Sequence, residues 1–140
     1  MPPDHLYHEL TFYTLAHPSP EFLHQNVVDA YTAQHADSTT KPIAVTFALI
    51  GLYLCFEHGF TGRGAQRAHM RMARRRGPWL SLPLPEHRGE VTIEDVLAAA
   101  PGPARDAAIR RWCESVWDAW SHAHPAIAAL AQTELGVNPA

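Results

Sequence analysis

The chain has 140 residues, of which 46% are apolar and 18% are charged. This length and composition predict one globular domain over residues 1–140, and they exclude a disordered, polar chain. The formal net charge of −3 disfavours a nucleic-acid partner, because domains that bind polyanions are usually basic.

The apolar stretches do not predict a membrane protein. The longest of them, residues 42–56, is too short to span a bilayer comfortably, and no export signal is visible at the start of the chain. The two cysteines, Cys55 and Cys113, lie in apolar helical patterns that favour buried, reduced thiols. We therefore expect a cytoplasmic protein with no membrane partner.

Hydrophobic periodicity predicts helices throughout, and no stretch alternates apolar and polar residues as a strand would. A first short helix covers residues 5–16. A second helix begins with Ser19 as N-cap and Pro20 as first helical residue, and it runs to about His35. A third helix, about residues 41–58, is apolar on almost every face, which places it at the centre of a bundle.

The second half of the chain continues the helical pattern. Gly59 ends the third helix, and Thr61 caps a fourth that runs to Arg76. An irregular, proline-rich crossing segment then spans about residues 77–103. Further helices are predicted within and after that segment, over about residues 92–100, 104–123 and 125–136. The sequence therefore predicts an all-α fold, a compact bundle of about five to six helices around a central apolar helix.

Histidine is the most constraining residue type, because the chain has ten of them. A neutral imidazole is the commonest metal ligand and the usual proton-transfer group near pH 7. Short connections make the second, third and fourth helices antiparallel neighbours, so His24 and His69 are predicted at the same level as Gly51. Because Gly51 has no side chain, neighbouring groups can approach the third helix closely at this point, and we expect the two imidazoles to face one another there.

A second histidine group is predicted at one end of the bundle, where His58 closes the third helix and His17 occupies a turn. Together with His24 and His69 these are the predicted ligands of a divalent metal ion, with zinc, iron, nickel and copper not distinguished. If an open coordination position activates water, Asp29 or Glu57 is the candidate catalytic proton acceptor. Each histidine taken alone is more often a hydrogen-bonded boundary residue than a ligand.

Two other functions stay open, and the sequence does not decide whether the protein is an enzyme. A non-catalytic interaction module, present as a homodimer, would use its histidines only to satisfy polar groups of the bundle. A small-molecule ligand would instead occupy a pocket lined by Tyr31, Tyr53 and the tryptophans. A row of arginines favours first a solvated helix end, and second a docking surface for an acidic partner or a nucleic acid: Arg67, Arg71, Arg74, Arg75 and Arg76.

Residues 24–35 carry the pattern H-x4-D-A-Y-x2-Q-H. With this pattern the chain resembles a bacterial family known only as a domain of unknown function. The similarity covers the first half of the chain well, through residues 41–43, 51–52, 57–60 and 67–69, and the remainder more loosely. The resemblance implies no established activity. It singles out four polar residues of the second helix: Asp29, Tyr31, Gln34 and His35.

Overall fold

The computed structural model describes residues 4–75, 77 and 79–139. The α-helices in these ranges are α1 (Asp4–Ala16), α2 (Leu23–His35), α3 (Pro42–His58), α4 (Gly62–Met72), α5 (Ile93–Ala98), α6 (Pro103–Ala119) and α7 (His124–Leu135). A single 3₁₀ turn, Ser121–Ala123, joins α6 to α7, and the described ranges contain no β-strand. The all-α prediction is confirmed. The described ranges hold seven α-helices, where a bundle of about five to six was expected, and α5 corresponds to the short helix predicted over about residues 92–100. None of these helices combines the length and apolarity that crossing a bilayer requires.

Helix α3 lies at the centre of the bundle, as its apolar faces predict. It packs against α2, α4, α6 and α7, and every residue from Val45 to Leu54 except Phe47 is buried. The helix ends at Gly59, whose φ of 67° is a left-handed conformation that glycine adopts without strain. The central position of α3 makes it the wall against which the polar side chains of α2 and α4 are held.

Three tryptophans anchor the core along α6 and its C-terminal end. The rings of Trp112, Trp117 and Trp120 are all buried. The indole of Trp112 donates to the side chain of Gln34 at 2.8 Å, and that of Trp120 donates to the carbonyl of Ala33 at 3.1 Å. Large apolar rings are thus buried without leaving these N–H groups unsatisfied, and α6 is fastened to α2.

The start of α2 was predicted wrongly. The helix begins at Leu23 rather than at Pro20, and the hydroxyl of Ser19 is buried without a hydrogen-bond partner instead of capping it. Phe22 precedes the helix with φ 56° and ψ 61°, a left-handed conformation that costs a non-glycine residue about 1–2 kcal/mol.

Contacts with the start of α4 account for this strained residue. The N–H of Gly62 donates to the carbonyl of Glu21 at 2.6 Å, and the guanidinium of Arg63 lies 3.8 Å from the centre of the Phe22 ring. The chain before α2 is therefore shaped by tertiary contacts that a helix-capping pattern does not contain.

The crossing segment is held to the bundle by side chains rather than by regular structure. The buried amide of Gln34 donates to the carbonyls of Arg88 and Val91 at 3.1 and 2.9 Å. Thr92 then begins α5, with its N–H donating to the carboxylate of Asp95 at 2.9 Å. The fourth helix ends at Met72, and Arg76 and Pro78, which belong to its predicted end, lie outside the described residues.

Helix α1 is tied to the beginning of α6. The hydroxyl of Tyr13 donates to the carboxylate of Asp106 at 2.8 Å and accepts from the N–H of Gly102 at 2.9 Å. Elsewhere α1 packs on α2 and α5. The first helix therefore packs in the same bundle as α2, α5 and α6.

Candidate functional site

The predicted close approach at Gly51 exists, and polar side chains from two other helices fill it. A Cβ added at Gly51 would lie 2.7 Å from Cγ of Asp29 on α2 and 3.2 Å from Nε2 of His69 on α4. Both distances are shorter than ordinary van der Waals contact. The Asp29 carboxyl and the His69 ring therefore occupy space that is available only because position 51 has no side chain.

Gln25 joins these two groups into one polar cluster. Its amide Nε2 donates to Oδ1 of Asp29 at 3.0 Å and lies 3.4 Å from Nδ1 of His69. The other ring nitrogen of His69, Nε2, donates to the carbonyl of Phe47 at 2.7 Å. This bond requires the proton on Nε2, which leaves Nδ1 free to accept from Gln25. Gln25 was not predicted, although its spacing of four residues from Asp29 is typical of a helical amide–carboxyl pair.

Burial controls the charge of the cluster. It raises the pKa of Asp29 well above its usual value of 3.8 and outweighs the opposing effect of the Gln25 bond. It also lowers the pKa of His69 below its usual value of 6.5, against the bond to Phe47. Both shifts favour the neutral forms. Since Asp29 is only 3% exposed, a substrate cannot reach this candidate base while the bundle is closed.

His24 does not take part in this cluster. Its Nδ1 lies 3.1 Å from the hydroxyl of Thr14, so the ring packs against α1, whereas Gln25 and Asp29 face α3 and α4. The prediction that His24 faces His69 across Gly51 placed residues by their height along the helices. Neighbouring residues on a helix differ in direction by about 100°, and height carries no information on that direction.

The other predicted ligands also have separate partners. Nε2 of His58 lies 2.8 Å from the Tyr53 hydroxyl, and Nδ1 of His17 lies 2.9 Å from the carbonyl of Tyr13. The exposed carboxylate of Glu57 accepts from the Trp117 indole at 3.4 Å. Each of these groups is hydrogen-bonded to a separate residue, and none of these bonds joins one predicted ligand to another.

These contacts give no metal site in the part of the chain that the structure describes. It contains no group of three or more His, Cys, Asp or Glu side chains arranged to hold a metal ion. Metal binding by His24, His69, His58 and His17 stays a prediction from the sequence.

The remaining polar residues that the resemblance singles out have structural partners as well. Gln34 holds Trp112 and the crossing segment, as described above. The ring of Tyr31 stacks on that of Tyr7 with centres 4.0 Å apart, and Nδ1 of His35 lies 3.0 Å from the carbonyl of Tyr31. Tyr31 therefore packs against α1, on which Tyr7 lies.

Tyr53 and Trp117 do share a small cavity. It has a volume of about 280 Å³, and Glu57 and His124 also line it. The imidazole of His124 stacks on Trp117 with ring centres 3.7 Å apart, so one face of the indole is already covered. Tyr53 and Trp117 are almost completely buried, and they offer a ligand little of their aromatic surface.

A larger groove combines apolar surface with positive charge. It has a volume of about 460 Å³ and lies between α4 and the end of α7. We call it the arginine groove, and its lining residues are Phe60, Thr61, Gly64, Arg67, Ala68, Arg71, Leu135 and Val137. The α4 side carries the two arginines, and the α7 side is aliphatic.

Arg67 and Arg71 differ from the paired arginines nearby. Arg75 makes an ion pair with Glu134 at 2.6 Å, and Arg110 makes one with Glu21. Among the residues with described side chains, neither Arg67 nor Arg71 has an ion-pair or hydrogen-bond partner, and both are exposed. They lie on successive turns of α4, about 6 Å apart along the helix axis. Two unpaired guanidinium groups therefore lie beside each other at the edge of the apolar lining of the groove, which we call its apolar floor: Phe60, Ala68, Leu135 and Val137.

Comparison with known proteins gives the chain a family. No curated protein and no solved structure matches it. A family model described as a family of unknown function, DUF5946, matches residues 4–121, which include α1 to α6. The match covers most of the chain, and this protein therefore belongs to the DUF5946 family.

Proposed function

We propose that this protein is a non-catalytic binding module that recognises an anionic partner in the arginine groove. The observation that carries the proposal is the pair Arg67 and Arg71, exposed and without acidic partners beside an apolar floor. The chain as a whole has more acidic than basic residues, with a net charge of −3. The positive groove is therefore a local feature and does not follow from the overall composition.

The pair has an energetic cost that an anion would offset. Like charges one turn apart on a helix destabilise it by a few tenths of a kcal/mol, roughly 0.2–0.5 kcal/mol per pair. The carboxylate of Glu134, at the end of α7, is already paired with Arg75. A bound anion would remove the repulsion between Arg67 and Arg71, and the apolar floor would gain by leaving water.

The chemistry of the groove favours binding over catalysis. Apart from the arginines, its one polar side chain is Thr61, whose hydroxyl accepts from the N–H of Gly64 at 3.1 Å as an N-cap. Asp29 and His69 are enclosed between helices instead of lining this groove. Burial raises the pKa of the Cys55 thiol to about 11, which leaves little thiolate near neutral pH.

A fluorescent amphipathic anion tests the proposal. Anilinonaphthalene sulfonate joins a sulfonate to apolar rings, and we expect it to bind saturably with a fluorescence increase. The double variant Arg67→Gln with Arg71→Gln should bind about tenfold more weakly, since each rim charge contributes up to about 1 kcal/mol. Exposed Arg111 on α6 provides the matched control Arg111→Gln, which should bind as the wild type does. Equal binding by wild type and double variant, or no saturable binding, would overturn the proposal.

A further inference from the structure

We infer that the partner in the arginine groove is a short acidic peptide segment that also carries apolar side chains. This inference rests on the proposed function, and it adds the chemical class of the partner. Its basis is the difference between the two walls: Arg67 and Arg71 project from α4, while Leu135 and Val137 form the opposite side. A ligand that fits must offer anionic groups to one wall and apolar groups to the other.

An extended peptide has this property when acidic and apolar residues alternate. Its successive side chains point to opposite sides, and side chains on the same side are about 6.6–6.8 Å apart. Arg67 and Arg71 are separated by a rise of about 6 Å along α4. Two carboxylates two residues apart can therefore each meet one guanidinium, whose planar fork suits paired hydrogen bonds. The intervening side chains then face Leu135 and Val137.

A single-stranded nucleic acid fits this groove less well. Bases bind proteins by stacking on aromatic faces, one ring for each base. Phe60 is the only aromatic residue among the eight that line the groove, and Ala68, Leu135 and Val137 give aliphatic contacts. The net charge of −3 also opposes a partner of high charge density.

A lipid surface fits less well for a different reason. Clusters of about four to eight basic residues are typical of segments that bind anionic lipid headgroups. The arginine groove itself is lined by two. Of the arginines that follow them in the chain, Arg75 is paired with Glu134, and exposed Arg74 does not line the groove. The apolar part also lines a groove of about 460 Å³, which suits an inserted side chain better than a flat bilayer.

Three fluorescent peptides separate the contributions of charge and apolar surface. In the first glutamate and leucine alternate, in the second lysine replaces glutamate, and in the third serine replaces leucine. Fluorescence anisotropy at low ionic strength should show saturable binding of the first peptide and binding of the other two that is at least about tenfold weaker. The double variant Arg67→Gln with Arg71→Gln should bind the glutamate–leucine peptide about tenfold more weakly than the wild type does. Added salt should also weaken the binding of this peptide to the wild type, and Arg111→Gln should leave that binding unchanged.

The same assay with oligothymidylate and with phosphatidylserine vesicles distinguishes the outcomes. Binding of either one through Arg67 and Arg71, without binding of the glutamate–leucine peptide, would overturn the inference and leave the proposed function standing. Equal binding of the glutamate–leucine and glutamate–serine peptides would also overturn it, since the apolar wall would then contribute nothing. Failure of every anion, anilinonaphthalene sulfonate included, would overturn both. Far-UV circular dichroism should confirm that the variants remain folded.

Discussion

The carboxyl group of Asp29 on α2 occupies the space that a side chain at Gly51 on α3 would need. The contact lies between α2, α3 and α4, and it is completed by Gln25 and His69. Asp29 and Gly51 therefore depend on each other, although they lie on different helices.

Replacing Gly51 with alanine should destabilise the protein by about 2 kcal/mol, because the new methyl group overlaps the Asp29 carboxyl in a packed interior. In an ordinary helix interior the same change stabilises by about 1 kcal/mol. Urea denaturation of the wild type and Gly51→Ala gives the difference. Gly64→Ala on α4 is the control, since its added Cβ meets at 3.2 Å only the flexible ring of Phe60, and it should be close to neutral.

A double-mutant cycle isolates the contact itself. In an Asp29→Ala background the closest overlap beside Gly51 is removed and the 3.2 Å contact with Nε2 of His69 remains, so adding Gly51→Ala should destabilise much less than in the wild type. The coupling between the two positions should exceed about 1 kcal/mol, within the range seen for side chains in contact. Additive effects of the two substitutions would contradict the packing described here.

The stability of the protein should depend on pH through Asp29. Because burial raises the pKa of this carboxyl above 3.8 in the folded state, the folded protein binds a proton that the unfolded chain has already lost. The contribution of Asp29 to the free energy of unfolding is thus complete below pH 3.8 and declines as pH rises towards the folded pKa. Asp29→Asn keeps an acceptor for Gln25 and cannot ionise. Its free energy of unfolding, relative to that of the wild type, should therefore increase as pH rises from 3.8 towards the folded pKa of Asp29.

Neighbouring groups must be separated from this effect. Burial lowers the pKa of His69 and of His24, which makes the histidine contribution rise with pH up to about 6.5. The free energy of unfolding is measured for the wild type and for Asp29→Asn at the same pH values. The difference between the two proteins at each pH no longer contains the histidine contribution, because both share it. A difference between the two proteins that does not change with pH would contradict a raised pKa for Asp29.

Gln34→Ala should destabilise the protein by about 2 kcal/mol, because the buried indole N–H of Trp112 loses its acceptor and an unsatisfied buried donor costs about 1–3 kcal/mol. The carbonyls of Arg88 and Val91 lose their donor too. Chemical denaturation measures the loss, and limited proteolysis should show faster cleavage within residues 79–92. Exposed Gln132 on α7 provides the control Gln132→Ala, which should change neither measurement.

Elemental analysis decides the metal hypothesis. Because the histidines of the described bundle have separate partners, we expect protein purified without a histidine tag to contain much less than one metal ion per chain. Chelation should leave the melting temperature unchanged. A stoichiometric ion that is lost in His24→Ala and His69→Ala would contradict this arrangement and restore the metal centre.

The fold could be predicted where a local pattern contains the physical cause. The apolar faces of α3 predict its central position, Gly59 predicts its end, and Thr61 predicts the cap of α4, which accepts from Gly64. The start of α2 could not be predicted in this way. Its cause is the contact of Glu21 and Phe22 with Gly62 and Arg63, about forty residues away in sequence.

The site could be predicted only in part, for a related reason. Gly51 and His69 were correctly placed at one close approach, because both lie on helices joined by a tight turn. The partner from α2 was predicted as His24 and is Asp29, since rotation about a helix axis is decided by packing on all sides. The sequence predicts a positively charged helix end at Arg67 and Arg71. The groove beside them needs Leu135 from the other end of the chain, which no local pattern reveals.

The bond between Tyr13 and Asp106 spans 93 positions, and this has a consequence for how the chain acquires its structure during synthesis. The first helix leaves the ribosome long before the residues that hold its tyrosine exist. Until α5 and the start of α6 emerge, α1 has only α2 to pack against, although its inward side, which includes Leu10, is finally covered by α5 as well. A nascent chain released before that point would expose part of this apolar side to water, so the final packing of α1 should require synthesis of the chain through the start of α6.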